Sequence, residues 1–302
     1  MSLVEWIAVD WGTSNVRVWV FGADDTLIEE RSSDRGMGAL KPDEFEPTLL
    51  GLICDRLGTG RVPVICCGMV GARQGWAEAA YAQAPCPPPD ANTALRVQAN
   101  EPRLDVRILP GVMQKSPADV MRGEEIQIAG FLAQNPKFFG TICLPGTHTK
   151  WVQISAGEIV SFRTFMTGEL FSLLGTKSVL RHSVSGDGWS DEAFHEAVSD
   201  AMGAPQQVAS RLFSLRAGGL VNELDHAEAR ARLSGYLIGM ELAGARGYWL
   251  GQDLALIGDP ALTKLYGDTL TRQGTPSRAI SGNEMTLAGL KAAHAALEKD
   301  AL

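Results

Sequence analysis

Apolar and polar positions follow the same pattern in two stretches of this chain. Near the N-terminus Ile7 to Glu30 reads IAVDWGTSNVRVWVFGADDTLIEE, and in the middle Ile142 to Phe165 reads ICLPGTHTKWVQISAGEIVSFRTF. Each copy predicts a strand, a Gly-Thr turn, a second strand, a Gly-containing hairpin and a third strand, because short apolar runs bounded by turn residues are strand signals. Between the copies, leucines at helical spacing predict a helix over 45–57, and 62–67 reads as a buried strand ending at Gly68. A glycine-clustered loop over 68–76, a Pro-rich connection over 86–90 and a strand over 106–112 follow. Ser116 is a candidate N-cap and Pro117 suits a first helical position, so a helix is expected to open there, with Asp119 in its first turn. Beyond the second copy, 168–250 is expected to be mainly helical. A strand over 254–257, a helix over 261–273, a strand over 277–280 and an amphipathic helix over 284–299 then close the chain.

A repeated unit of this kind predicts an α/β protein of two related lobes, with duplicated βββαβα units and an interlobe cleft. Residues 1–117 form the first expected lobe and 118–302 the second, with a hinge over 111–118. The C-terminal helix, 284–300, is expected to pack back on the first lobe.

The two turns differ in chemistry. In the first, Asp10 ends the strand and Gly12, Thr13 and Ser14 follow. Gly12 allows a ligand close to the backbone, and the hydroxyls and N–H groups of Thr13 and Ser14 suit phosphate oxygens. Asp10 is a hard oxygen donor for magnesium, directly or through its waters. In the second turn, Gly146, Thr147, His148 and Lys150 offer donors without a carboxylate. Two such turns, one for the metal and one for phosphates, predict an ATP-using enzyme with ATP and Mg2+ as its cofactors. Either turn alone is also an ordinary hairpin with a polar turn.

Composition narrows the partners. The formal charge of −8 argues against a nucleic-acid or anionic-membrane surface, and an anionic small molecule must be met by local basic groups. Five cysteines without a CxxC, three of them in apolar runs, read as reduced thiols and point to the cytoplasm. No apolar run approaches membrane-spanning length. The expected partners are a small sugar acid and ATP, and a homodimer is compatible with the chain.

Phosphoryl transfer to an alcohol calls for a carboxylate at the acceptor hydroxyl. Asp119 is the candidate base, with Glu124 and Glu125 as alternates; a helix N-terminus would keep Asp119 ionised. A first-turn carboxylate also serves simply to cap its helix. For an acid substrate a guanidinium is the expected partner. Arg73 is the first choice, Arg17, Arg122 and Arg163 are weaker, and Gln74 is a neighbouring polar candidate. Trp76 could wall the pocket, while Trp11 reads more simply as core. Thr167 and Glu169 are candidates for sugar hydroxyls, though Glu169 could equally cap the following helix.

Taken together, Asp10-Trp11-Gly12-Thr13-Ser14-Asn15-x-Arg17, Gly68-Met69-Val70-Gly71-x-x-x-Gly75-Trp76, Asp119-Val120-Met121-Arg122-Gly123-Glu124-Glu125, Leu144-Pro145-Gly146-Thr147-His148-x-Lys150-Trp151 and Met166-Thr167-Gly168-Glu169-Leu170-Phe171 resemble the 2-dehydro-3-deoxygalactonokinase family. The resemblance spans nearly the whole chain. It implies the actin-like ATPase (ribonuclease H-like) fold and ATP-dependent phosphorylation of 2-dehydro-3-deoxy-D-galactonate at its 6-hydroxyl. It further implies that the first turn binds magnesium and the β/γ-phosphates, and that Gly146 to Lys150 hold the α/β-phosphates. Gly258-Asp259-Pro260 resembles the superfamily's adenosine loop, with an Asp where a second glycine is common; Asp259 either contacts the ribose or caps the helix that begins at Pro260. Other readings are a kinase for a different sugar or keto-deoxy acid and a non-catalytic nucleotide-dependent sensor.

Overall fold

A computed structural model of the chain describes residues 4–299. They group into two compact units. One takes the residues up to Phe139, Ile154–Ser161 and those from Ser281 onward; the other takes Gly140–Gln153 and Phe162–Ile280.

The first unit begins with β1 (Trp6–Trp11), β2 (Val16–Phe21) and β3 (Leu27–Ser33), then α1 (Phe45–Ile53) and β4 (Val62–Gly68). Short strands β5 (Tyr81–Gln83) and β6 (Leu95–Val97), then β7 (Leu104–Ile108), β8 (Gly111–Lys115), β9 (Ala118–Met121) and α2 (Glu124–Gln134), complete its continuous part. Six strands form one sheet in the order β3-β2-β1-β4-β7-β6, and β5-β8-β9 form a second. The period of two in β1 serves both faces of the larger sheet. Ile7, Val9 and Trp11 pack with Phe45 and Leu49 of α1, while Trp6 and Ala8 join Trp19, Phe21 and Leu290. Trp11 is wholly buried, so it belongs to the core, and its indole N–H donates to the Arg35 carbonyl at 3.1 Å.

The second unit holds β10 (Gly140–Leu144), most of β11 (Thr149–Ser155) and the end of β12 (Glu158–Phe165), whose shared hairpin over 154–161 groups with the first unit. The β11–β12 connection is Ala156-Gly157, both at positive φ (52° and 79°), the conformation that matches the twist of a two-residue hairpin. Helices α3 (Thr167–Lys177), α4 (Asp191–Gly203), α5 (Val208–Val221), α6 (His226–Gly244) and α7 (Arg246–Trp249) follow, then β13 (Leu254–Gly258), α8 (Pro260–Arg272) and β14 (Arg278–Ser281). The sheet order is β12-β11-β10-β13-β14, with β10 and β13 parallel. The last helix, α9 (Gly282–Lys299), groups with the first unit, where it packs on α2.

Three expectations are corrected. No helix opens at Ser116: residues 118–121 are strand β9, paired antiparallel with β8 so that Gln114 faces Asp119. Apolar Val120 and Met121 extend the hairpin, the Gln114 amide closes it on the Pro117 carbonyl at 2.9 Å, and the helix starts only after Gly123 at φ 107°. The N-terminal dipole therefore falls at Glu124 and Glu125, not at Asp119. The 111–118 segment is this hairpin rather than a hinge. The compact units part at Phe139/Gly140, not at 117/118, because β8, β9 and α2 cluster with the first sheet.

Candidate functional site

The strand register of the first unit gathers its candidate residues. Asp10 lies opposite Arg17 across the β1–β2 pair and beside Cys67 of parallel β4. Its Oδ2 accepts from Arg17 Nη2 at 2.6 Å, and Arg17 is held in turn by the Asn283 side chain at 2.5 Å. Oδ1 has the Cys67 thiol at 3.7 Å, a weak donor. The turn that follows is braced from behind. The carbonyls of Gly12, Thr13 and Ser14 accept from the N–H groups of Met37, Gly38 and Gly36 at 2.9, 2.9 and 3.2 Å. With their carbonyls engaged, Thr13 and Ser14 remain exposed with their hydroxyls. The bracing segment, Gly36 to Gly38, was not singled out in the sequence; its signal is the pair of glycines flanking Met37.

Gly68 sits against this turn. Its φ is +84°, and a Cβ there would lie 2.6 Å from the Trp11 carbonyl oxygen and 3.4 Å from Asp10 Oδ1, so a side chain is excluded both by conformation and by space.

The substrate-side arginines are sorted by burial. The Arg73 side chain is 81% exposed and its partner is Glu78 at 3.8 Å; Gln74 is exposed beside it. Trp76 is half-buried against the core under β1. Arg122 is held in place. Its Nη2 donates to the Ala79 carbonyl at 2.8 Å, its guanidinium lies 4.3 Å over the Tyr81 ring, and its Nε and Nη1 are buried without a partner. Asp119, on β9, is half-buried and accepts from the Val120 N–H at 2.8 Å through Oδ1. Glu124 accepts from the Arg122 N–H at 3.1 Å. Glu125 is fully buried and accepts from the Gly123 N–H at 2.7 Å; burial, with the Glu124 charge next in weight, pushes its carboxyl up to about 8.

In the second unit the β10–β13 register sets Pro145 beside Gly258, so a Cβ on Gly258 would lie 3.3 Å from the Pro145 carbonyl oxygen. The Gly146 turn is fastened to the start of α3. The Glu169 N–H donates to the Thr147 carbonyl at 2.9 Å, and the Glu169 carboxylate meets His148 Nε2 at 2.6 Å. Lys150 is buried on β11, with Nζ donating to Thr164 at 3.0 Å. Asp259 caps α8, accepting from the Ala261 and Leu262 N–H groups at 2.9 and 3.2 Å, with Pro260 at the first helical position.

Around these elements lies a pocket of about 620 Å³. Gly146 and Thr147 form part of its wall, as do Thr167, Gly168 and Phe171 of α3, Ser234, Leu237 and Ile238 of α6, and Ala261, Leu262 and Tyr266 of α8. Arg230 lies at its rim, 5.1 Å over the Phe171 ring. This volume falls within the range of small-molecule and cofactor sites, and the mix of apolar walls with a few polar groups is typical of them. Thr167 and Glu169, expected near sugar hydroxyls, belong to this turn and pocket; the Thr167 hydroxyl is buried and donates to Glu241. Neither Lys150 nor Gly258 lines the pocket, whereas the start of the helix that Asp259 caps does. Among the described residues no group of three or more His, Cys, Asp or Glu side chains could by itself hold a metal ion, and no helix is long and apolar enough to cross a membrane.

A pair of β-hairpin sheets with Gly-Thr turns, one carrying an aspartate and the other opening into a nucleoside-sized pocket, belongs to a carbohydrate kinase of the actin-like ATPase fold. The profile of the 2-keto-3-deoxy-galactonokinase family matches residues 10–293, and the chain belongs to that family. A protein of Rhizobium meliloti (strain 1021), named a probable 2-dehydro-3-deoxygalactonokinase, is 41% identical over 96% of each chain. The 2-dehydro-3-deoxygalactonokinase of Escherichia coli (strain K12) is 33% identical over 96% of this chain and 98% of its own. A crystal structure of a Sinorhizobium meliloti protein described as a 2-dehydro-3-deoxygalactonokinase superposes with a TM-score of 0.91 at 40% identity, covering 97% of this chain and 99% of that one. Component A of (R)-2-hydroxyglutaryl-CoA dehydratase from Acidaminococcus fermentans, at 12% identity and a TM-score of 0.50, shares the fold over 98% of this chain and 100% of its own.

Proposed function

We propose that the protein transfers the γ-phosphoryl group of ATP to the 6-hydroxyl of 2-dehydro-3-deoxy-D-galactonate, in the breakdown of galactonate. The observation that carries the nucleotide half is the pocket of about 620 Å³ that runs from the Gly146–Thr147 turn to the Asp259-capped start of α8. Its apolar walls suit a nucleoside. The turn's N–H groups suit phosphate oxygens, while the His148 ring has its Nε2 engaged by Glu169 and only Nδ1 left to offer.

The acceptor half lies on the first unit. Asp119 takes the proton of the attacking hydroxyl as its oxygen bonds to phosphorus and the bond to ADP breaks. Asp119 is a half-buried side chain on a strand rather than in a helix, and its Oδ1 accepts from the Val120 N–H at 2.8 Å. Arg122 supports recognition of the substrate carboxylate better than Arg73 does. Its Nε and Nη1 nitrogens are buried without an acceptor, and such donors cost free energy until they are matched. Thr13 and Ser14 would hold the terminal phosphates.

The magnesium ion expected with ATP fits Asp10. Oδ1 carries only a thiol contact, and an ion of this kind needs just one or two carboxylates because phosphates and water complete its shell. When bound, it neutralises charge developing on the phosphates. Arg17 holds the Asp10 side chain in place from the other oxygen.

The test is Asp119→Asn in a coupled ADP-release assay. Turnover is expected to fall by about 10²–10⁴-fold, the usual worth of a general base, with ATP binding unchanged by calorimetry. Wild-type turnover in that variant would remove Asp119 from the mechanism. Running the assay with the epimeric galactonate- and gluconate-derived acids decides the substrate; preference for the gluconate-derived acid or for a neutral hexose would overturn the assignment.

A further inference from the structure

Glu241 lies in α6 within the run Ile238-Gly239-Met240-Glu241-Leu242-Ala243, where every other side chain is apolar or absent. It is 1% exposed. Donors from three other elements converge on its carboxylate. Trp151 of β11 donates its indole N–H to Oε1 at 2.8 Å, and the Tyr266 hydroxyl of α8 donates to Oε2 at 2.8 Å. The Thr167 hydroxyl, at the first position of α3, also donates to Oε2. The network reaches one step further. Thr149 Oγ1 lies 3.3 Å from the Tyr266 hydroxyl and accepts from the Gly146 N–H at 3.5 Å.

A buried carboxylate is a costly way to fill a core, since a well-packed apolar side chain of the same volume is often no worse for stability. What it adds is direction: three donors on three elements share one fixed acceptor. Two of those donors, Thr167 and Tyr266, also line the pocket, as does Gly146 at the far end of the network.

We propose that Glu241 is a positioning residue for the nucleotide: it pins α3, α8 and β11 to one point and so sets the shape of the Gly146 turn and the adjoining pocket. This rests on the reading of that pocket as the nucleotide site. Glu241 touches neither substrate directly, and the sugar acid, recognised by the first unit's residues, should not depend on it.

The experiment uses the full-length enzyme and a non-hydrolysable ATP analogue as probe. Glu241→Gln keeps the volume but replaces one acceptor oxygen with an NH2 group; because the Trp151 N–H can only donate, the NH2 falls on the Oε2 side and both hydroxyls there must reverse. Tyr266→Phe leaves the carboxylate and deletes one pocket-side donor, and it serves if the Gln variant does not fold. The expected result in each is a KM for ATP and a Kd for the analogue raised about tenfold, the equivalent of one unmatched buried partner, with the KM for the sugar acid within about twofold. Unchanged analogue affinity in both variants would overturn the proposal. So would a parallel rise in both KM values, which is the mark of a generally loosened core. Leu262→Trp fills the pocket while leaving every hydrogen-bonding group of the network in place, and separates the two readings. If it abolishes analogue binding while the network variants bind normally, only the role of Glu241 fails; if it leaves binding intact, the nucleotide reading fails with it.

Discussion

Gly168→Ala tests the attachment of the second turn to α3. A Cβ on Gly168 would sit 2.9 Å from Thr147 Cα and 3.0 Å from the Gly146 carbonyl carbon, with the Gly146 carbonyl oxygen nearer still. Carbon atoms pack at about 3.5–4.0 Å, so something must move by roughly 0.6 Å or more. All three atoms are backbone, and no flexible side chain can absorb the shift. The helix cannot swing away freely either, because Glu169 N–H is bonded to the Thr147 carbonyl at 2.9 Å and Thr167 to Glu241. Two effects oppose each other. Alanine favours the helix over glycine by up to about 1 kcal/mol, less at the second helical position, whereas overpacking costs about 1–3 kcal/mol. The clash should win, leaving a net loss of about 1–2 kcal/mol and a fall in melting temperature of a few degrees. The functional loss should be larger, because a displacement on the order of 1 Å at a positioning loop can cost about 10²-fold in rate. Gly175→Ala is the control. It lies in the same helix with only Val184 Cγ2 at 3.7 Å from the new Cβ, and it should gain about 0.5–1 kcal/mol with unchanged kinetics. The assays are thermal melting, calorimetry with a non-hydrolysable ATP analogue and coupled turnover. If Gly168→Ala binds ATP within twofold of wild type, the second turn does not hold phosphate in the way argued above.

The remaining predictions concern the first unit. Arg122→Ala should raise the KM for the sugar acid by about 10²-fold, the worth of two charge-assisted hydrogen bonds, and Arg122→Lys should recover little of it. Arg73→Ala should leave that KM unchanged; the reverse ranking in steady-state kinetics would return the carboxylate to the exposed loop. Glu125 has a folded-state pKa of about 8 against an ordinary 4.5, raised by burial. The unfolded chain releases this proton near 4.5 while the folded chain keeps it to about 8, so stability is greatest below the lower value and falls as pH rises across that window. Glu241, also buried and raised to about 7, acts in the same direction over a narrower range. Denaturation between pH 5 and pH 8 should show a loss of a few kcal/mol in the wild type and a smaller one in Glu125→Gln; identical slopes would exclude Glu125 as the source.

Much of the architecture was legible in the chain because it is written in local chemistry. Short apolar runs marked the strands of both hairpins, and Gly-Thr marked both turns. An aspartate followed by a proline marked the start of α8, and there Asp259 does cap the helix. The same kind of local evidence misled at Ser116-Pro117. The cap-like pair sits in a hairpin turn, because pairing with β8 outweighs a weak preference for starting a helix.

Local chemistry by itself determined the repeated hairpins, the glycine turns, the helical run after 168 and the family to which the chain belongs. Tertiary structure alone decided that Arg122 is half-buried with two unmatched guanidinium nitrogens while Arg73 points into solvent. It also decided that Asp119 rides on a strand and that Glu241 collects three donors from elements 25 to 90 residues away in sequence. The physical reason is that propensity and periodicity act within a few residues, whereas burial and the convergence of distant donors exist only once the sheets and helices have packed.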